Sequence, residues 1–485
     1  MFNILPVLFK DFYKTSHPQQ YPRGTSLIYS NLTPRGSRIA GISSVVVFGI
    51  QYFIKEYLIR QFNENFFGVP KEVVVNDYKR RMMNALGSPA DLSFIEQLHD
   101  IGYLPIEIKA LPEGSRCPMR VPCLTIKNTR PSFFWLTNML ETLMSQILWG
   151  MINSATIAAE YKSILNSYAK KTSDIPEFVQ WQGHDFSERG MFGFEASLMS
   201  GAAHLLSFTG TDTIAAIDFL EKFYSANSDK ELIGGSIPAT EHSVMCFGNS
   251  GDEYETYKRL LTEVYPSGPF SAVSDTWDYW KVLTETLPRL KNEIMTRNGK
   301  LIVRPDSGEP VDIICGDDNA QPGSPENKGS IQVLWETFGG VVNSKGYKQL
   351  DSHIGLIYGD SITIDRCRAI CKRLEAKGFT STNVVLGIGS YTYQYNTRDT
   401  FGFAVKSTYG VVDGEPVNIF KKPKTDSGLK NSAKGLLYVN EDMRLEQEVS
   451  EEREADESNA LKVIFRDGKL VSETTLSEIR GRLNA

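Results

Sequence analysis

Cysteine spacings that suit metal or redox chemistry are missing from this 485-residue chain. Its six cysteines (Cys117, Cys123, Cys246, Cys315, Cys367, Cys371) include no C-x-x-C pair. So few thiols in so long a chain build no disulfide framework, which points to a reducing compartment. The six histidines (His17, His99, His184, His204, His242, His353) show no zinc-type spacing. No apolar run approaches the ~18 residues a membrane helix needs. The opening MFNILPVLFKDFYK lacks a basic segment followed by a long apolar one, so a cytoplasmic protein without membrane association is expected. A basic bias is absent too. The net charge of -6 and pI of about 5.7 argue against a general nucleic-acid binder, while leaving room for a local basic pocket. There is no Walker A sequence, so any use of ATP would not follow the P-loop pattern.

What is present is a balance of 41% hydrophobic and 23% charged residues, enough for a large core and more than one domain. Residues 43–62 begin strand-like and become an amphipathic helix, and 132–170 read as helix through Leu136, Leu140, Leu143 and Ile147. In the middle of the chain, short apolar runs end abruptly in polar or glycine residues. Phe270–Val273 leads to Ser274-Asp275, Leu301–Val303 to Arg304-Pro305-Asp306, Ile354–Tyr358 to Gly359-Asp360, and Val384–Leu386 to Gly387-Ile388-Gly389-Ser390. Continuous apolar runs are the pattern of buried parallel strands. Helical stretches such as Ile364–Ala376 lie between them, and polar residues gather at strand ends, where a β/α barrel places its active site. An open doubly wound sheet obeys a similar rule. The expectation is an α/β protein: an irregular β/α barrel over 151–399, with an α+β region at 1–150 and a sheet-rich region at 400–485 packing with it. Asp413-Gly414 and Asp467-Gly468 mark hairpin turns in that last region. Cys315–Ser330 and Asn440–Asn459 read as exposed excursions.

Several clusters could carry chemistry. His184–Gly190 supplies an aromatic ring (Phe186) and a guanidinium (Arg189); the alternative is a loop in which Arg189 pairs with Asp185 or Glu188. Asp212 could cap the helix starting near Ile214, or accept a hydrogen bond from a substrate amide. Glu241-His242-Ser243 follows a run of small residues that allows close backbone approach; His242 could be structural, a base, a phosphate ligand or a nucleophile. Arg304 and Asp306 form either a salt-bridged turn or a site for a ligand with phosphate and hydroxyls, and Gly387–Ser390 could offer backbone N–H groups to phosphate.

In the same order these segments resemble the nicotinamide phosphoribosyltransferase family. Asp11–His17, Gln20–Pro22, Leu104–Gly114, His184–Gly190, Gly210–Thr213, Glu241–Ser243, Val273–Asp275, Arg304–Gly308, Asn343–Tyr347, Gly359-Asp360 and Thr397–Asp399 carry the resemblance over nearly the whole chain. It implies a homodimer with shared active sites that joins nicotinamide to 5-phosphoribosyl 1-diphosphate, giving nicotinamide mononucleotide and diphosphate in NAD salvage. Mg²⁺ is expected, held through the diphosphate with Asp306 and Asp360 as candidate ligands, and ATP as an energy-coupling co-substrate. The resemblance makes Phe186 and the partner's Tyr13 the two faces around the pyridine ring, with Asp212 on the carboxamide N–H. It places Arg304 near the carboxamide oxygen and the diphosphate, beside Arg189 and His242. Asp306, Gly359 and Asp360 would serve the ribose, Ser390 and Arg398 its phosphate, and Arg35, Lys406 and Lys421 would reach in from the second subunit. His242 matches a histidine phosphorylated by ATP, with Asp275 orienting it and Glu241 nearby. Tyr391 makes the phosphate loop bulkier than the family's, and Ala404 stands where a hydroxyl donor is found. Nicotinate phosphoribosyltransferase is the nearest alternative, with Asp212 the discriminating residue.

Overall fold

The computed structural model describes residues 4–247, 253–359, 361–421 and 432–484. The chain forms two compact units. The first comprises Met1–Thr156, Leu220–Ala226 and Asn396–Ala485, the second Ile157–Phe219 and Asn227–Tyr395.

The second unit is built on six parallel strands, ordered Gly210–Thr211, Gly183–Asp185, Val384–Ile388, Ile354–Tyr358, Leu301–Arg304 and Phe270–Val273. The sheet curls. Its two edge strands both reach the extended segment 235–240: Thr211 N donates to Gly235 O at one edge, and Ser271 N to Pro238 O at the other. These bridges are isolated, so the barrel is partly closed and irregular. Four of the strands are the apolar runs expected, and most of their residues are buried; Leu301, Val303, Leu356 and Leu386 are essentially inaccessible. The helix Ile364–Ala376 begins at Thr363, whose hydroxyl accepts from Arg366 N.

In the first unit, N-terminal strands are flanked by C-terminal ones in a single antiparallel sheet of seven. The order is Glu415–Asn418, Ala404–Val412, Thr25–Thr33, Leu124–Asn128, Ile106–Ala110, Lys462–Arg466 and Lys469–Leu470. Both Asp-Gly turns have two left-handed residues in a row, Asp413 (52°) with Gly414 (84°) and Asp467 (49°) with Gly468 (80°). That geometry matches the twist of the strands it joins. The segment expected to turn from strand to helix does so, as Ser44–Val46 followed by Ile50–Tyr52 and Phe53–Gln61. The stretch Cys315–Ser330 is less open than its composition suggests, since Cys315 and Ser330 are buried and Pro325–Lys328 forms a short helix. Among the described residues, no helix is long and apolar enough to cross a membrane.

Candidate active site

The polar residues sit where the parallel strands end. Strand Gly183–Asp185 delivers His184, Asp185 and Phe186. Asp185 is fully buried and acts locally: it accepts from Ser187 N (2.9 Å), Ser187 Oγ (2.7 Å) and Thr213 Oγ1 (2.8 Å), which ties this strand end to the next. The pairing of Arg189 with Asp185 that a plain loop would show is absent. Phe186 lies tilted against the His184 ring, with centroids 4.6 Å apart. Its ring fills the space over Gly387, where a Cβ would come within 2.5 Å of the Phe186 ring.

Asp212 follows strand Gly210–Thr211 and is not the cap of the next helix. Its Oδ1 accepts from His184 Nε2 and from Ser236 Oγ, each at 2.8 Å. Burial pushes the carboxyl up, but these two donors and the Arg304 charge outweigh it and hold Asp212 below the usual carboxylate range. With His184, Phe186, Trp181, Arg304 and Ile302, Asp212 lines a cavity of about 390 Å³. Ser236, Ser271 and Lys300 line it too, and the remainder of the wall is apolar, the usual character of a small-molecule site. The Arg304 guanidinium donates to Thr240 O (2.9 Å), while its buried Nε has no hydrogen-bond partner.

His242 opens the short helix His242–Cys246 and is half exposed. Its Nε2 lies 3.1 Å from Oδ1 of Asp275, which comes from the end of strand Phe270–Val273. The other Asp275 oxygen accepts from Asp306 N (3.0 Å) and Ser307 Oγ (2.6 Å). One buried carboxylate thus links the histidine to the loop after Arg304. Ser243 Oγ donates to Glu241 Oε1 beside them. Asp306 fits closely against Gly359: a Cβ there would lie 2.4 Å from Asp306 Oδ1. Asp360 lies outside the described residues. Ser390 begins the helical turn Ser390–Tyr393 and is approached by Gly190, where a Cβ would meet its Oγ at 2.0 Å. Arg189 is exposed beside this contact. Tyr391 stacks on Tyr395, with both rings largely exposed.

The remaining expected residues lie in the first unit. Tyr13 is 62% exposed, its ring edge-on to His17. Arg35, Arg398, Lys406 and Lys421 line one cavity of about 630 Å³ together with Asp11 and Glu141. Ala404 forms part of the same wall. Burial, followed by the nearby Arg35, Lys421 and Arg398 charges, lowers the Lys406 ammonium below its usual value, with Glu141 acting in the opposite sense. Arg398 thus shares a cavity with Arg35, Lys406 and Lys421.

His184 and Ser236 are the site residues that sequence reasoning missed. Their signal was weak: a histidine one residue from an aspartate, and a serine inside a glycine run, become meaningful only when both reach Asp212 Oδ1. Among the described residues no group of three or more His, Cys, Asp or Glu side chains forms a metal cage. Of the two candidate Mg²⁺ carboxylates, Asp306 lies among the described residues, at the end of strand Leu301–Arg304.

Comparison with known proteins agrees with this arrangement. Residues 181–469 match the nicotinate phosphoribosyltransferase family, and residues 4–108 the N-terminal domain of nicotinamide phosphoribosyltransferase. The nicotinamide phosphoribosyltransferase of Acinetobacter baylyi is 51% identical over 497 residues, covering 99% of this chain and 97% of that protein. Its counterpart from Xanthomonas campestris pv. campestris is 32% identical, covering 99% and 98%. The same fold is seen in nicotinate-nucleotide pyrophosphorylase from Pyrococcus furiosus, with a TM-score of 0.59 at 15% identity over 99% of this chain and 95% of that one. Human nicotinic acid phosphoribosyltransferase shares it as well, with a TM-score of 0.54 at 14% identity over 98% and 93%. A sheet that gathers Phe186, Asp212, Arg304 and the His242–Asp275 pair at its strand ends, in a chain matched end to end by these relatives, belongs to the nicotinamide phosphoribosyltransferase family.

Proposed function

We infer that this family member transfers the phosphoribosyl group of 5-phosphoribosyl 1-diphosphate to the ring nitrogen of nicotinamide, releasing diphosphate and forming nicotinamide mononucleotide for NAD salvage. The observation that carries the reading is Asp212, held below its usual carboxylate range on the wall of a largely apolar cavity it shares with Phe186. With Oδ1 occupied by His184 and Ser236, its Oδ2 is left to accept the carboxamide N–H. A nicotinate carboxylate would meet a fixed negative charge there. Phe186 offers one face to the pyridine ring, and Arg304 lines the same cavity as Asp212.

The chemistry asks little of a general base. The ring nitrogen attacks as a neutral lone pair, the C1–N bond forms as the C1–oxygen bond to diphosphate breaks, and charge builds on the leaving group. Positioning of the ring and fixed cations near the diphosphate supply the effect. Arg189, Arg304 and His242 face that group in this reading. Mg²⁺, held by the diphosphate and Asp306, would add positive charge at the same place.

ATP coupling runs through His242. Asp275 accepts from Nε2–H, which leaves the Nδ1 lone pair to attack the γ-phosphorus of ATP. An N–P bond forms, the bond to ADP breaks, and ADP departs. Tyr13, Arg35, Lys406 and Lys421 come from the second subunit of a homodimer, and Arg398, which shares their cavity, comes with them. A cytoplasmic location agrees with six free thiols.

The test is incubation of the protein with 5-phosphoribosyl 1-diphosphate, Mg²⁺ and either pyridine base, with products identified by mass. We expect nicotinamide mononucleotide and a much slower reaction with nicotinate. Equal or faster turnover of nicotinate would overturn the assignment.

A further inference from the structure

A second carboxyl group stands behind the His242–Asp275 pair and has no place in the reaction as described. Helix Glu253–Arg259 is set in register by Tyr257, whose hydroxyl lies 2.8 Å from Ser274 Oγ and donates to Val273 O, at the strand end that delivers Asp275. Glu253 is four residues earlier, one turn away on the same helix face. It is 8% exposed, and its Oε1 is buried with no hydrogen-bond partner. The ionisable groups facing it are Asp275, Asp278 (the capping residue of the next helix, Tyr279–Lys281) and Tyr257 on its own helix, with His242 beyond Asp275. From the following elements, Arg289 packs over the neighbouring Tyr254 ring, and among the described residues no cation pairs with Glu253.

Two buried carboxyl groups so placed do not both ionise cheaply. Asp275 accepts three hydrogen bonds, from His242, Asp306 N and Ser307, whereas Glu253 Oε1 accepts none. The unpartnered Glu253 is the one that takes a proton. Burial first, then the Asp275 and Asp278 charges, push its carboxyl up to about 7.

We propose that Glu253 is a positioning residue of the phosphate-handling centre, acting on His242 through Asp275. This rests on the ATP-coupled reading of His242. While Glu253 carries a proton, it adds no charge behind the imidazole to that of Asp275. Once Glu253 ionises, a second negative charge behind Asp275 repels the incoming phosphate oxygens. Binding of ATP is thereby made to weaken as pH rises through neutrality.

The experiment is the KM for ATP in the ATP-stimulated nicotinamide reaction, measured from about pH 6 to about pH 8.5 for the wild type and for Glu253→Gln, which is neutral throughout and similar in size. The two proteins differ only at residue 253, so the difference between the two curves isolates Glu253. We expect equal values at the acid end, and at the alkaline end a KM for ATP lower in Glu253→Gln by roughly threefold or more, the effect of one removed charge at a partly screened distance. The split should fall on KM and not on kcat, with unfolding midpoints of the two proteins compared at both pH extremes to exclude a general loss of fold. Superimposable curves, in a wild type that responds to ATP, would overturn the proposal. A wild type whose nicotinamide turnover ignores ATP would overturn the reading of His242, and the proposal with it.

Discussion

In the proposed base site, Phe186 depends on a neighbour that is easy to overlook. Phe186 packs closely over Gly387, where a Cβ would lie 2.5 Å from its ring and 2.8 Å from the Tyr358 backbone O. Gly387→Ala should displace the ring, raise the KM for nicotinamide by about tenfold and leave the KM for 5-phosphoribosyl 1-diphosphate nearly unchanged, consistent with loss of one ring face. Steady-state kinetics with each substrate varied in turn would show it, and an unchanged nicotinamide KM would remove Phe186 from the base site. Much of this site is legible in the sequence. Phe186, Asp212, Arg304, Asp306, His242 and Asp275 all carry ionisable or aromatic groups just past apolar runs or glycine turns, and the curled sheet collects them. His184, Ser236 and Glu253 are not legible there, because what each does depends on a partner 24 to 28 residues away or on burial without a partner.

At the level of elements, the sequence speaks clearly where one physical signal suffices. Fully buried parallel strands read as unbroken apolar runs, and each Asp-Gly pair makes a tight hairpin turn because both positions take left-handed backbone. It is silent where pairing is short or tertiary. Gly210–Thr211 is a strand of two residues, and segment 235–240 closes the sheet through isolated bridges that leave no periodicity. Leu220–Ala226 belongs with the first unit for a similarly non-local reason. Tyr224 donates its hydroxyl to the buried Glu113 at 3.0 Å, and Phe223 O accepts from Gln51 Nε2. Glu113 also accepts from the backbone N–H groups of Gly49 and Gln51, so the members of this cluster come from distant parts of the chain. Removing one donor from it leaves a buried acceptor short. Tyr224→Phe should lower stability by about 1 kcal/mol, read as a lower urea midpoint with unchanged slope. An unaltered midpoint would mean that the hydroxyl contributes nothing to holding this segment.

For the whole molecule, the overall charge of -6 conceals a cavity where four cations meet. Arg35, Arg398, Lys406 and Lys421 are far apart in the chain, yet the pairing of strand Thr25–Thr33 with strand Ala404–Val412 brings their surroundings together. A net acidic composition excludes a general polyanion binder, but says nothing against such a local site. Lys406→Ala should raise the KM for 5-phosphoribosyl 1-diphosphate by about tenfold while sparing the KM for nicotinamide, as expected for loss of one partly buried charge-assisted hydrogen bond. Equal effects on both substrates would argue that Lys406 only supports the sheet. The choice of pyridine base, however, is the central matter, and the proposed function assigns it to the charge at Asp212. The most direct measurement is the ratio of kcat/KM for nicotinamide to that for nicotinate, in the wild type and in Asp212→Ala. We expect a ratio well above one in the wild type that collapses by about a hundredfold in the variant, as the amide loses its acceptor and the acid loses its repulsion. A ratio that Asp212→Ala leaves unchanged would contradict this role for Asp212.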